Sequence, residues 1–234
     1  MIMRLSNMRV RDGFTLAEVL ITLGIIGVVA AMTMPTLMNS TQGAQYKAAY
    51  KKALSALSQA VTLNVALDEY NFADLDGTTY TLGGMLNNRM NIVRTEPGSF
   101  NAANGKSYSV VGAANGGAAT VAAPGSGNTT LFFNDGIMFT YPTETTKGCS
   151  IDPTVVTGAG AANDKYAKAC RGFIDVNGIK APNKLVKCEN SDYTPGEKNE
   201  KCTVTNPTDV YPVIFYDQTI MPNSAAARAV LYSK

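Results

Sequence analysis

The sequence contains no histidine. That absence alone excludes Ser-His-Asp and Cys-His nucleophile pairs and every His-ligated metal centre. No GxxxxGK[ST] stretch occurs either, so no phosphate-cradling P-loop is present. The glycines of "GTTYTLGG" and "GAANGGAA" lack the strand–turn–helix setting that a dinucleotide needs, and they read as flexible loops. The acidic residues form no catalytic pair along the chain; only a dyad assembled from distant loops stays open. No enzymatic chemistry is therefore expected.

Charge is also scarce, at 16% of residues, with a formal net charge of +2. The excess lies at the extreme N-terminus, where Arg4, Arg9 and Arg11 face only Asp12. Beyond Gly13 the two signs balance, which argues against nucleic acid as a partner. A local cluster at Lys180, Lys184 and Lys187 reads as a solvated face. The first 148 residues hold no cysteine; Cys149, Cys170, Cys188 and Cys202 all follow. An even set in a polar-loop region points to two disulfides in an oxidising compartment. Without CxxC and without histidine a zinc site is disfavoured. Short loops close most easily, favouring Cys149–Cys170 and Cys188–Cys202, while the other two pairings stay open.

What the chain has in abundance is apolar residues near its start. Residues 14–34 are interrupted only by Thr15, Glu18, Thr22 and Thr33. About twenty helical residues span the ~30 Å hydrocarbon core of a bilayer. The preceding arginines place the N-terminus in the cytoplasm and the bulk of the chain outside, in agreement with the cysteines. Three readings compete. One is a secretory signal cut near Val29-Ala30-Ala31. Another is a plain signal anchor whose Glu18 snorkels to the interface. In the third, the chain is cut between Gly13 and Phe14. Glu18 then lies on the helical face of the new ammonium, four residues on, in the first turn where the helix dipole favours a carboxylate. An unpaired membrane charge costs about 2.5–3.5 kcal/mol, and the ammonium of a neighbouring copy would relieve it.

Gly13-Phe14-Thr15-Leu16-Ala17-Glu18, followed by Leu20, Ile21 and the run to Pro35, resembles the prepilin N-terminal motif of type IV pilins and of the pseudopilins of type II secretion and DNA-uptake machines. The strong match covers residues 4 to 50. The resemblance implies cleavage after Gly13 by a prepilin peptidase and N-methylation of Phe14. It implies Glu18 as the assembly carboxylate and Pro35 as the helix-bending proline. Its implied partners are other pilin or pseudopilin subunits in a helical filament and an inner-membrane assembly machinery. The implied location is the bacterial inner membrane, single-pass, then a pilus or pseudopilus. The rival reading is a membrane-anchored extracytoplasmic binding module or enzyme.

After Pro35 the weak stretch "TLMNSTQGAQ" fits a kinked or unwound helix. Tyr46, Tyr50, Leu54, Leu57, Val61 and Val65 then recur at helical spacing and predict an amphipathic helix lying on a sheet, with Lys47, Lys51 and Lys52 solvating its outer side. Gly77 marks the helix as ended. Residues 78–100 read as loops and irregular elements. Residues 101–128 read as long loops with one short strand at 108–111. "TTLFFNDGIMFTY" reads as a hairpin turning at Asn134-Asp135-Gly136. Strands at 171–176 and 213–216, the latter followed by a turn, complete an antiparallel sheet packed on the helix. "FIDVNGIKAPNK" resembles a stretch of prepilin-like C-terminal domains. The expected class is α+β and pilin-like. The segments are a basic leader at 1–13, a transmembrane and assembly helix at 14–35, an amphipathic helix at 36–76 and a β-rich head at 77–234. No cofactor is expected beyond weak calcium candidates. Asp74-Leu75-Asp76-Gly77 and Asp175-Val176-Asn177-Gly178 alternate oxygen ligands before glycine but lack an EF-hand's remainder. Some pseudopilins hold calcium in C-terminal loops, which keeps Asp175, Asn177 and Asp217 as candidates, against turn chemistry as the default.

Overall fold

A computed structural model describes residues 13–68, 79–97, 113–116, 119–122, 128–142, 170–189, 202–216 and 219–233. It divides into two compact units, Met1–Thr41 and Gln42–Lys234. The division falls inside the first helix, α1 (Leu16–Asp68).

The expected unwinding at Pro35 does not occur, because α1 runs through it without a break. Proline removes one amide from the ladder. Threonine hydroxyls on either side bond back to carbonyls one turn earlier, Thr33 to Val29 at 3.0 Å and Thr41 to Leu37 at 2.8 Å. The expected continuation of the helix to 76, with Gly77, falls beyond the described residues.

The second unit is built on the amphipathic stripe of α1. Tyr50, Leu54, Leu57 and Val61 are buried, and Tyr46 and Val65 pack half-buried at the margin. The stripe lies against a six-stranded antiparallel sheet in the order β1-β4-β5-β6-β7-β8. Its strands are β1 (Ile92–Pro97), β4 (Asn128–Phe133), β5 (Met138–Pro142), β6 (Cys170–Asp175), β7 (Val210–Tyr216) and β8 (Thr219–Pro222). The hairpin β4–β5 turns as expected at Asn134-Asp135-Gly136. Gly136 takes φ +85°, which a side chain disfavours, and the Phe133 amide donates to the Ile137 carbonyl at 3.0 Å. Leu131, Phe133, Phe139, Tyr141, Ile174, Tyr211, Val213 and Phe215 fill the core beneath α1. Tyr50 stacks on Tyr211 with ring centroids 3.9 Å apart and planes 9° apart. Such a pair adds about 0.5–1.5 kcal/mol beyond its buried area.

Four further expectations change. Residues 79–97 are not irregular: α2 (Leu82–Asn87), capped by Thr81 accepting from the Gly84 amide, leads into β1. The Gly/Ala/Asn-rich region carries a separate two-stranded ribbon, β2 (Ala113–Gly116) with β3 (Ala119–Ala122). The strand expected at 108–111 lies outside the described residues. The strand expected last at 213–216 is followed by another, β8, and then by a helix, α3 (Ala225–Tyr232), whose N-cap Ser224 accepts from the Ala227 amide at 3.0 Å. The lysines of α1 are also not merely solvated. Lys51 donates to the Ser233 carbonyl at 2.7 Å, and Lys52 pairs with Asp135 at 3.1 Å.

The two outermost strands of the sheet share a feature. β1 carries an irregular register between Ile92 and Arg94, an Arg94–Glu96 ion pair and a terminal Pro97. β8 is four residues long and ends at Pro222.

Candidate functional site

The helix start is fixed by a reciprocal cap. Thr15 is its N-cap, and the Glu18 amide donates to Thr15 Oγ1 at 3.2 Å. In return, Glu18 Oε2 accepts from the Thr15 amide and the Thr15 hydroxyl, both at 2.8 Å. This T-x-x-E arrangement is a capping box, and it satisfies amides that a helix otherwise leaves orphaned. Its signal was present in the sequence, and Thr15 is the functional residue that sequence reasoning missed. Thr15 thus occupies part of the Glu18 carboxylate within the same chain. A carboxylate offers about four lone-pair sites, so capacity for an incoming ammonium remains.

Phe14 is 90% exposed, and a Cβ added at Gly13 would meet nothing within 4 Å. The fold itself thus makes no demand for glycine at 13. From Leu16 to Pro35, 20 residues form a helix long and apolar enough to cross a membrane, none of it buried within the protein. Leu16, Leu20, Ile21, Leu23, Ile25, Ile26, Val28 and Val29 are all exposed. Inside this run Thr22 folds its hydroxyl back onto the carbonyls of Glu18 (2.9 Å) and Val19 (3.0 Å), so it presents no unsatisfied donor to hydrocarbon.

The family of the Prokaryotic N-terminal methylation motif matches residues 8–34. That motif is the type IV pilin and pseudopilin signature. Over those residues the match supports a prepilin-type, pilin-like N-terminal segment, and the α+β layout beyond is consistent with pilin-like folds. The signature belongs to structural subunits, and the apolar helix fits a membrane anchor. No curated protein and no solved structure matches the chain.

The remaining sequence candidates are scattered. Cys188 and Cys202 form a disulfide with Cα atoms 5.2 Å apart. Cys149 and the side chain of Cys170, the other favoured pair, lie outside the described residues. Asp175 is buried and accepts the Asn177 amide at 3.1 Å, while Asn177 Nδ2 donates to Tyr46 Oη and the Ala181 carbonyl, both at 3.3 Å. Asp217, Asp74 and Asp76 fall outside the described residues. Asp209, not singled out by sequence, is fully buried and accepts the amides of Asn183 (2.7 Å) and Lys184 (2.8 Å). Lys180, Lys184 and Lys187 are exposed. A cavity of about 460 Å³ lies beside α1, lined by Leu57, Leu63, Met90, Phe133 and Ile137 and by the Lys52–Asp135 pair. Among the described residues, no group of three metal-ligating side chains converges.

Proposed function

We propose that this chain is a filament subunit, major or minor, cleaved after Gly13 by a prepilin peptidase and N-methylated on Phe14. It polymerises through its N-terminal helix into a type IV pilus or a type II secretion or competence pseudopilus. The observation that carries the reading is the pilin signature set on an exposed helix long and apolar enough to cross a membrane. Residues 1–13 are then the leader, 14–35 the membrane and assembly helix, 36–76 its amphipathic continuation and 77–234 the head. The subunit waits in the inner membrane with Arg4, Arg9 and Arg11 on the cytoplasmic side. The assembly machinery extracts it into a filament core, where Leu16 through Val29 bury against sister helices. Glu18, held at the helix start by Thr15, presents its carboxylate to the new ammonium of an adjacent copy.

N-terminal mass spectrometry of the protein from its own cells tests this. The mature chain is expected to begin at an N-methylated Phe14. A chain that keeps Met1 to Arg11, or that begins at Met32, overturns the reading.

A further inference from the structure

In the stretch of α1 that straddles the division between units, Gly43 alone is buried, while Thr41, Gln42, Ala44 and Gln45 are exposed. A Cβ at Gly43 would stand 2.9 Å from Asn206 Oδ1, 3.1 Å from Pro207 Cδ and 3.6 Å from Asn206 Cα. The side chains of Asn206 and Pro207 therefore lie directly on the helix, tighter than a Cβ at Gly43 would ordinarily allow, with the Asn206 Cα at normal contact distance. Glycine costs a helix about 1 kcal/mol relative to alanine, and here the close approach explains its presence.

The segment that touches Gly43 is tied at several points. Cys188 and Cys202 join its two arms covalently. The Glu189 amide donates to the Thr203 carbonyl at 2.9 Å. The Glu189 carboxylate then accepts the amides of Thr205 at 3.0 Å and Asn206 at 2.9 Å through a single oxygen, Oε1. Burial works against that charge, yet the Asn206 and Thr205 donors outweigh it and hold the carboxyl below its ordinary value. The next two contacts of the same helical stripe follow at spacings of three and four. Tyr46 accepts from Asn177, and Tyr50 stacks on Tyr211.

We infer that residues 188–189 and 202–207 form a clasp that seats α1 at Gly43 and sets where the head's hold on the helix begins. The local sequence gives such a device a task. Pro35, Thr36, Asn39, Ser40, Thr41 and Gly43 are all weak helix formers within nine residues. A helix of that composition gains its stability from packing rather than propensity. With the clasp shut, the first packed turn is the one at Gly43. With it open, the first packed turn becomes that of Tyr46 and Tyr50, and the intervening turn is left to its own weak propensity. The inference concerns the folded chain alone and holds whether or not the protein polymerises.

The test is residue-resolved amide hydrogen exchange on the full chain in detergent micelles. The double variant Cys188→Ser/Cys202→Ser is expected to exchange amides 42–50 about tenfold faster and to leave 54–61 unchanged, as local opening requires. Glu189→Ala keeps the disulfide and removes two hydrogen bonds, so it should accelerate the same amides a few-fold. Unchanged protection at 42–50 in both variants overturns the clasp. So does equal acceleration at 54–61, because the knot would then support the head as a whole. Should the cysteine variant fail to fold, Glu189→Ala decides alone.

Discussion

Replacing Glu18 with glutamine separates two jobs that alanine would confuse. The capping box needs an acceptor at this position, and glutamine supplies one in the same place. Glu18→Gln should therefore keep the Thr15 amide satisfied and the helix start intact, while it removes the negative charge. Glu18→Ala removes both. Losing the cap costs about 1 kcal/mol of local helix stability, roughly a fivefold change in the population of the first turn. Losing the charge matters only where an ammonium is waiting for it. An uncompensated charge in the membrane costs about 2.5–3.5 kcal/mol, so abolishing a pair that relieves it should lower incorporation by a factor on the order of 10². The assay compares processed subunit in the membrane with subunit in sheared filaments, in cells that carry the assembly machinery. Both variants are expected to be cleaved normally. Both should incorporate poorly, while only Glu18→Ala loosens the helix start in amide exchange. If Glu18→Gln enters filaments as well as the natural chain, the charge is irrelevant and Glu18 serves only as a cap.

Three further outcomes follow from the packing. A Cβ on Gly172 of β6 would lie 2.8 Å from a Phe139 ring carbon and 3.1 Å from the Thr140 carbonyl, with that ring already against Phe215. Gly172→Ala should cost about 1–3 kcal/mol and lower the melting temperature by roughly 2–12 °C; an unchanged melting curve refutes the close contact. Burial pushes the Tyr50 and Tyr211 hydroxyls well above the ordinary phenol value. Their neutral forms therefore stabilise the fold fully below about pH 10, and that contribution is lost as pH rises beyond it. Tyrosinate absorbance should show these two of the eleven tyrosines ionising only with unfolding, and smooth titration of all eleven in the folded chain would contradict the burial. Ser224→Ala removes the α3 cap and should destabilise by about 1 kcal/mol in denaturant titration, whereas Ser224→Asp should recover most of it.

The parts of the fold legible in the sequence were those whose pattern is local. The α1 stripe from Tyr46 to Val65 shows helical spacing, and Asn134-Asp135-Gly136 between two β-rich runs admits little but a hairpin. The ribbon β2–β3 was not legible, because alanine and glycine give a strand no alternation to read. β1 was missed because its short run, broken by Arg94 and Glu96, carries too few apolar residues to stand out. α3 carried readable marks, a serine cap before an alanine run, but its helix is only two turns long. At the candidate site, Gly13, Phe14 and Glu18 stood out by their order, and the T-x-x-E spacing also held the Thr15 cap. What no local pattern contains are contacts between distant segments. Asp209 on the amides of Asn183 and Lys184, Lys51 on Ser233, and Asn206 on Gly43 exist only once the chain has closed on itself.

The blunted flanks of the sheet bear on life at high density. A bilayer patch or a polymer concentrates many copies of one protein, and open strand edges in such a crowd invite amyloid-like stacking. Pro97 at the end of one outer strand and Pro222 at the end of the other withhold an amide there, which shortens the ladder available for that direction of growth. Edge-to-edge sticking between copies is thereby made harder.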